Sequence, residues 1–335
     1  MDSIVADKIR GVLFGQAIGD ALGVGTEFLS RSEVAFTFPN GLRNYSDFRI
    51  YSKITNQFEQ FDDPRWSPGD WTDDTDQMLC ILDSILAHRT IDIHDIAARL
   101  HHWAVTDAFG IGATVSAIVH HPDFLENPHR IAEEYWESKG RISAPNGGVM
   151  RTSPLGIWQY LEPKKIRYNT EIVCRITHAD PRCLGSCVAV CLAISQLLQG
   201  EQDLDKLVDA IAKDVETYHP EMATYLTKTQ ADSLEVLDLD EGLNARERVT
   251  YCYTLKTLAA GFWALRHANT FSEGILAIVH EGGDADTNAA VAGALLGARF
   301  GYRAIESAWI EGLIHRQALE QRAEQLIESC SCDST

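Results

Sequence analysis

Basic residues are in short supply in this chain. Its 335 residues hold 29 Lys and Arg against 48 Asp and Glu, a formal charge of −19. That deficit argues against a nucleic-acid backbone or an anionic membrane as main partner. Long apolar runs are missing too. The longest, Leu184 to Leu198, is interrupted by Ser186, Ser195 and Gln196 and is too short to cross a bilayer. The N-terminus carries Asp2, Asp7, Lys8 and Arg10 where a secretory signal needs an unbroken apolar core. The expectation is a soluble, cytoplasmic, monomeric protein with no membrane partner. Strand signals are few. The best, Phe48 to Ile54, lies in an irregular stretch from Pro39 to Gly69 punctuated by Asn40-Gly41, Asp63-Pro64 and Pro68-Gly69. No fixed repeat and no low-complexity linker is visible.

Helical periodicity fills the rest. The pattern predicts helices over 3–22, 75–88, 93–104, 111–120, 128–138, 148–160, 168–178, 182–199, 203–216, 249–267, 272–280, 285–301 and 315–328. The fold class is therefore all-α, one domain over 1–328, followed by a polar tail, 329–335, that is expected to fray. The eight cysteines show no disulfide pattern. Cys183, Cys187 and Cys191 recur at i, i+4 and i+8, which reads as packed thiols on one helical face rather than a metal set, because no ligand-rich loop accompanies them.

Two segments are too small and too apolar for surface helices. Gly11, Gly15, Gly19 and Gly23 recur every four residues, as do Ala285, Ala289, Gly293, Gly297 and Gly301. Each glycine inside a helix costs roughly 1 kcal/mol against alanine. Close backbone approach to another helix would offset that, so both segments are expected to run through the centre of the molecule.

Each segment has carboxylates near it. Thr72-Asp73-Asp74-Thr75-Asp76 precedes an apolar helix, and Asp284-Ala285-Asp286-Thr287 opens the second glycine-striped one. N-capping and the helix dipole account for one or two acidic residues per helix. They leave the rest of a run such as Thr72-Asp73-Asp74 unexplained, since adjacent carboxylates repel by roughly 1–4 kcal/mol. A hard divalent cation would remove that repulsion using the same oxygens. Capping and metal binding both stand as readings. A third carboxylate pair, Asp20 and Glu27, brackets Gly23 and Gly25. Asp20 reads as a buried hydrogen-bonding partner, and Glu27 falls in the loop beyond the helix.

Taken in order, Gly19-Asp20-x-x-Gly23-x-x-x-Glu27, Thr72-Asp73-Asp74-Thr75, Asn146-Gly147-Gly148-x-Met150-Arg151, Thr177-His178 and Gly282-Gly283-Asp284-x-Asp286-Thr287 resemble the ADP-ribosylglycohydrolase family from about Ile9 to Tyr302. The resemblance implies an orthogonal helical bundle with a binuclear Mg²⁺ cleft, Mn²⁺ being able to substitute. It implies metal ligation by Thr72, Asp73, Asp74, Asp284, Asp286 and Thr287, with Glu27, Asp73 and Asp286 as the candidate catalytic carboxylates. It also raises a substrate-binding role for Phe109, Gly110 and Gly112 in a glycine-bearing turn, for Ser143, for Asn146, Gly147 and Gly148, and for His178. Ala144 stands where some members carry an aromatic residue, and Asp107 has a counterpart only by approximate position. Arg151 reads as a structural salt-bridge partner before a phosphate contact. The partner implied is an ADP-ribose-bearing protein or small molecule. The expected activity is hydrolytic release of ADP-ribose by water attack at the anomeric carbon, with arginine linkage favoured and the irregular stretch 39–69 expected to shape the leaving-group pocket. Hydrolysis of O-linked or phosphorylated ADP-ribose metabolites, non-catalytic ADP-ribose binding and metal-dependent phosphohydrolysis are the competing readings.

Overall fold

A computed structural model describes residues 2–52, 57–60, 65–243 and 250–332. Its helices are α1 (Ser3–Gly23), α2 (Arg31–Thr37), α3 (Asp73–His88), α4 (Ile93–Thr106), α5 (Ala113–Val119), α6 (Pro128–Ser138), α7 (Ser153–Ile157), α8 (Pro163–Cys174), α9 (Pro181–Leu198), α10 (Leu204–Val215), α11 (Glu221–Lys228), α12 (Thr254–His267), α13 (Phe271–Val279), α14 (Ala285–Phe300), α15 (Ser307–Gly312) and α16 (Arg316–Cys332). Between α2 and α3, β1 (Arg49–Ser52) and β2 (Gln57–Gln60) pair antiparallel, with Arg49 opposite Gln60 and Ser52 opposite Gln57. The all-α class holds, and the buried apolar side chains form one cluster.

The glycine stripes explain the centre. α1 and α14 pack directly on each other, backbone against backbone. A Cβ placed on Gly11, Gly15 or Gly19 would collide with the carbonyl of Gly297, Gly293 or Ala289, and Gly293 and Gly297 would collide with Gly15 and Gly11 in return. Nearly every residue from Gly11 to Gly23 and from Ala285 to Ala298 is buried. The helix entropy lost at each glycine is offset by contacts that no side chain would permit. α9 lies against this pair. At 18 residues it is long and apolar enough to cross a membrane, yet 83% of it is buried inside the fold, which makes it a core helix. Its cysteines are free. Cys183 donates to Pro145 O at 3.2 Å and Cys191 to Thr152 O at 3.1 Å, the behaviour of packed thiols.

Three expectations need correction. The segment 148–160 is not one helix: a single 3₁₀ turn, Val149–Arg151, is followed by the short α7, with Pro154 in its first turn. A proline there lacks the N–H that would continue the preceding turn. The helix expected over 249–267 begins only at Thr254, and the short helices α2, α11 and α15 carry too few turns for a periodic signal. The tail does not fray at 329: α16 runs to Cys332, Ser329 and Cys330 are buried, and the serines satisfy themselves on the helix, Ser329 donating to Gln325 O at 2.7 Å and Ser331 to Ile327 O at 2.8 Å.

Candidate active site and metal centre

The acidic residues at the start of α3 are free for chemistry because another residue caps the helix. Thr72, the N-cap, makes no side-chain cap of its own. Asp20, from α1, does the capping instead. Its carboxylate accepts the Thr72 N–H at 3.1 Å, the Thr72 hydroxyl at 2.8 Å, the Thr75 N–H at 3.0 Å and the Thr75 hydroxyl at 2.6 Å. Asp20 is thus the buried hydrogen-bonding partner expected of it, and simple capping does not account for Asp73 and Asp74.

The start of α14 is built the same way. Asp284 sits at the N-cap without capping. Its Oδ2 accepts instead from Asn146 Nδ2 at 2.6 Å, and that amide also donates to Thr257 Oγ1 at 2.9 Å. The Gly282-Gly283 turn before it has φ of +71° at both positions, a conformation that favours glycine. It staples the loop after α1 in place. Phe28 N–H donates to Gly283 O at 2.7 Å, Gly283 N–H to Leu29 O at 2.8 Å, and Thr26 Oγ1 to Val279 O at 2.6 Å. The staple carries Glu27 to Asp284 and Asp286, and one oxygen of each of the three lies within 4.8 Å of the others.

The electrostatics follow from the crowding. Burial, and then the neighbouring carboxylates, push Glu27 up to about 8. Burial pushes Asp20 and Asp284 up to about 6 each. Burial followed by like-charge repulsion raises Asp73, Asp74 and Asp286 well above the usual carboxylate range. The charges acting most strongly on this group are one another's. Asp74 Oδ1 is buried with no hydrogen-bond partner among the described residues. Buried carboxylates without counter-ions, offering only oxygen donors and one orphaned oxygen, fit a hard divalent cation. Zinc would call for thiolate or imidazole ligands, and the cluster has none.

The acids form one end of a cleft of about 880 Å³. Glu27, Asp73, Asp284, Asp286 and Thr287 line it, while Thr72 and Asp74 sit behind its wall, Thr72 Oγ1 lying 3.3 Å from Asp74 Oδ2. Among the expected substrate-binding residues, Gly110, Gly112, Ser143, Asn146, Gly147 and His178 line the cleft. At Gly110, φ is +83° and a Cβ would meet Asp73 Oδ1 at 2.7 Å, so only glycine lets this turn pass over the carboxylate. Two expected residues are not on the lining. The same turn points Phe109 away, under the Arg65 guanidinium at 5.1 Å. Gly148 lies against the Cys174 and Cys187 sulfurs, a place where a Cβ would press on both. Arg151 is fully buried and hydrogen-bonded to Gln77 and Thr177, a structural role, though not through a salt bridge among the described residues. Asp107 caps α4 and borders a separate shallow groove.

The described part of 39–69 does not line the cleft. That wall comes from a stretch taken for helix. Residues 251–252 form a turn, with Tyr253 N–H donating to Thr250 O at 3.3 Å, and Tyr253 makes an isolated antiparallel bridge to Pro145, in which Asn146 N–H donates to Cys252 O and Thr254 N–H to Ala144 O, both at 3.0 Å. This pairing puts both tyrosines on the cleft, together with Tyr225, Arg182 and Lys256. Tyr251 meets the exposed ring of Phe28 edge-on at 5.7 Å beside the acids, and Tyr253 meets Tyr225 in the same way at 5.7 Å. No local signal in the sequence marks them.

Comparison with known proteins places this geometry. The family model described as ADP-ribosylglycohydrolase matches residues 1–334. The ADP-ribosylarginine hydrolase Tri1 of Serratia proteamaculans is 25% identical over 96% of this chain and 79% of its own. The ADP-ribosyl-(dinitrogen reductase) glycohydrolase of Rhodospirillum rubrum is 25% identical over 92% of this chain and 91% of its own. A solved structure described as an ADP-ribosylglycohydrolase-related protein complex superimposes with a TM-score of 0.67 and 27% identity, covering 98% of this chain and 99% of the other.

Proposed function

The chain belongs to the ADP-ribosylglycohydrolase family, and from that premise we propose that it is a Mg²⁺-dependent, cytoplasmic hydrolase that frees ADP-ribose from a modified protein side chain, arginine before other linkages. One observation carries the reading: Glu27, Asp284 and Asp286 converge within 4.8 Å at the end of a cleft large enough for a nucleotide sugar. Arginine is favoured because a guanidinium leaving group is cationic and planar. The acids and the Phe28–Tyr251 ring pair beside them suit such a group, and a relative named for arginine covers nearly the whole chain.

Thr72, Asp73, Asp74, Asp284, Asp286 and Thr287 would hold two ions. Bound there, hard divalent ions supply neutralising charge, a grip on ribose hydroxyls and a more acidic water. The chain's own residues do the remaining work. Glu27, on the loop stapled to the Gly282-Gly283 turn, is placed to take a proton from the attacking water. Asp73 and Asp286 stand where ionised carboxylates stabilise the oxocarbenium-like charge on the ribose ring. Asn146 holds Asp284 in position. Gly112, whose missing side chain opens on empty space, leaves room for the diphosphate, and Ser143 and His178 offer polar groups to it.

A panel of arginine-, serine- and O-linked ADP-ribose substrates, assayed with Mg²⁺ and with chelator, tests this. The expected result is Mg²⁺-dependent release, fastest from arginine. Fastest release from small O-linked adducts would establish the metabolite reading. Tight ADP-ribose binding without release from any linkage would establish a binding protein. Phosphate release from generic esters would establish a phosphohydrolase.

A further inference from the structure

A chain of hydrogen bonds runs from Asp73, in the acidic cluster, to His178, another residue lining the cleft. Asp73 Oδ2 accepts from Gln77 Nε2 at 2.9 Å, Gln77 Oε1 accepts from Arg151 Nη1 at 2.6 Å, Arg151 Nη2 donates to Thr177 Oγ1, and Thr177 Oγ1 lies 2.8 Å from His178 Nδ1. All five side chains are at least nine-tenths buried. The chain ends at His178 Nε2, which has no hydrogen-bond partner among the described residues and belongs to a ring lining the cleft. A Cβ on Gly147 would meet this nitrogen at 3.2 Å, which places it beside the Asn146-Gly147 backbone.

The directions of these bonds are fixed by chemistry. A guanidinium only donates. The Gln77 carbonyl must therefore face Arg151, and its amide must face Asp73. Thr177 Oγ1 accepts from Arg151, so its own proton needs an acceptor, and His178 Nδ1 is the neighbour placed to be one. Were Nδ1 protonated instead, the Thr177 hydroxyl would be left buried without an acceptor, an arrangement proteins avoid. Burial and the Arg151 charge push the His178 pKa down to about 3, so the ring is neutral and carries one proton.

We propose that Arg151 and Thr177 are positioning residues that lock His178 in the tautomer with its proton on Nε2, so that the cleft wall presents a hydrogen-bond donor to an anionic oxygen of the substrate's diphosphate. The identity of that acceptor rests on the ADP-ribose reading above; the tautomer does not. Arg151, buried with no ion-pair partner among the described residues, then has a purpose beyond packing. A neutral residue at 151 would leave Thr177 free to accept from the imidazole and would turn Nε2 into an acceptor, which repels phosphate.

The test is long-range ¹⁵N–¹H correlation NMR on protein labelled at histidine, at pH 7 without ligand. The expected spectrum has the His178 proton on Nε2. Thr177→Ser keeps it there, and Thr177→Val yields a mixture of tautomers. With Mg²⁺ present, Thr177→Val weakens ADP-ribose binding at least about tenfold while Thr177→Ser restores it. A proton on Nδ1 in the native protein overturns the proposal even if Thr177→Val fails to fold. So does a Thr177→Val protein whose His178 tautomer is unchanged. Failure of ADP-ribose to bind the native protein, with the proton on Nε2, would remove only the identity of the acceptor.

Discussion

Removing divalent ions should make this protein lose stability as the pH rises through neutrality. The cause is the acidic cluster. Glu27 has a pKa near 4.5 when exposed and is pushed up to about 8 in the metal-free fold. A carboxyl raised in this way favours the folded state fully below its unfolded pKa, and that contribution disappears as the pH climbs through the folded value. Between pH 6.5 and 8.5 the loss from Glu27 alone is about 2 kcal/mol, using roughly 1.4 kcal/mol per pKa unit. Asp73, Asp74 and Asp286, raised well above their ordinary range, act in the same direction. Asp20 and Asp284, at about 6, have spent most of theirs by pH 6.5. His178 acts in the opposite direction, but only at lower pH, because a buried neutral imidazole with a pKa of about 3 gains stability as the pH rises to its unfolded value near 6.5. The upper window therefore excludes most of the His178 effect, and the buried thiols of Cys80, Cys183, Cys187, Cys191 and Cys252, raised by burial, add to the carboxylates only toward its alkaline end. For a chain of this size 2 kcal/mol is worth about 3 °C of Tm. Thermal melts in chelator at pH 6.5, 7.5 and 8.5 should fall by at least that amount, Mg²⁺ should remove most of the fall, and Glu27→Gln should make the fall in chelator shallower. A metal-free Tm that is level or rising across this window would refute the reasoning.

Asp284→Asn and Asp286→Asn should each cut ADP-ribose release at least about 100-fold while circular dichroism stays native, and each should raise the metal-free Tm at pH 8 by relieving like-charge repulsion. Full activity in either variant would contradict its assignment as a metal ligand. Gly297→Val should cost about 3 kcal/mol or more or prevent folding, because the new side chain meets the Gly11 backbone rather than a movable side chain. Gly112→Ala, facing open space, should leave Tm nearly unchanged, and the pair of melts checks the helix-crossing account.

The sequence made the centre of the molecule legible because the glycine stripes of α1 and α14 have only one economical use, and the structure puts them against each other. It made the acidic stretches legible for a similar reason: consecutive carboxylates exceed what capping needs. The role of Asp20 in capping α3 depends on a contact across 52 residues, but its burial was readable from the apolar helix around it. Local patterns failed where tertiary pairing decides. Nothing local marks 251–253 as non-helical: the turn there is held by the pairing of Cys252 and Thr254 with Asn146 and Ala144, more than a hundred residues away. Phe109 leaves the lining because its ring packs under Arg65, a contact distant in sequence that no local pattern shows. The tail after 328 was misread because serine and cysteine look polar in sequence, yet in α16 the serines bond back to their own helix and Cys330 packs against the core.

The central claim is that two distant acidic stretches share hard ions in one cleft. Titration with Mn²⁺, followed by electron paramagnetic resonance, tests it most directly. The account predicts two ions per chain whose spins are coupled through shared ligands, with coupling lost in both Asp74→Asn and Asp284→Asn although these residues belong to different segments. Two uncoupled ions, or no tightly held ion, would contradict it.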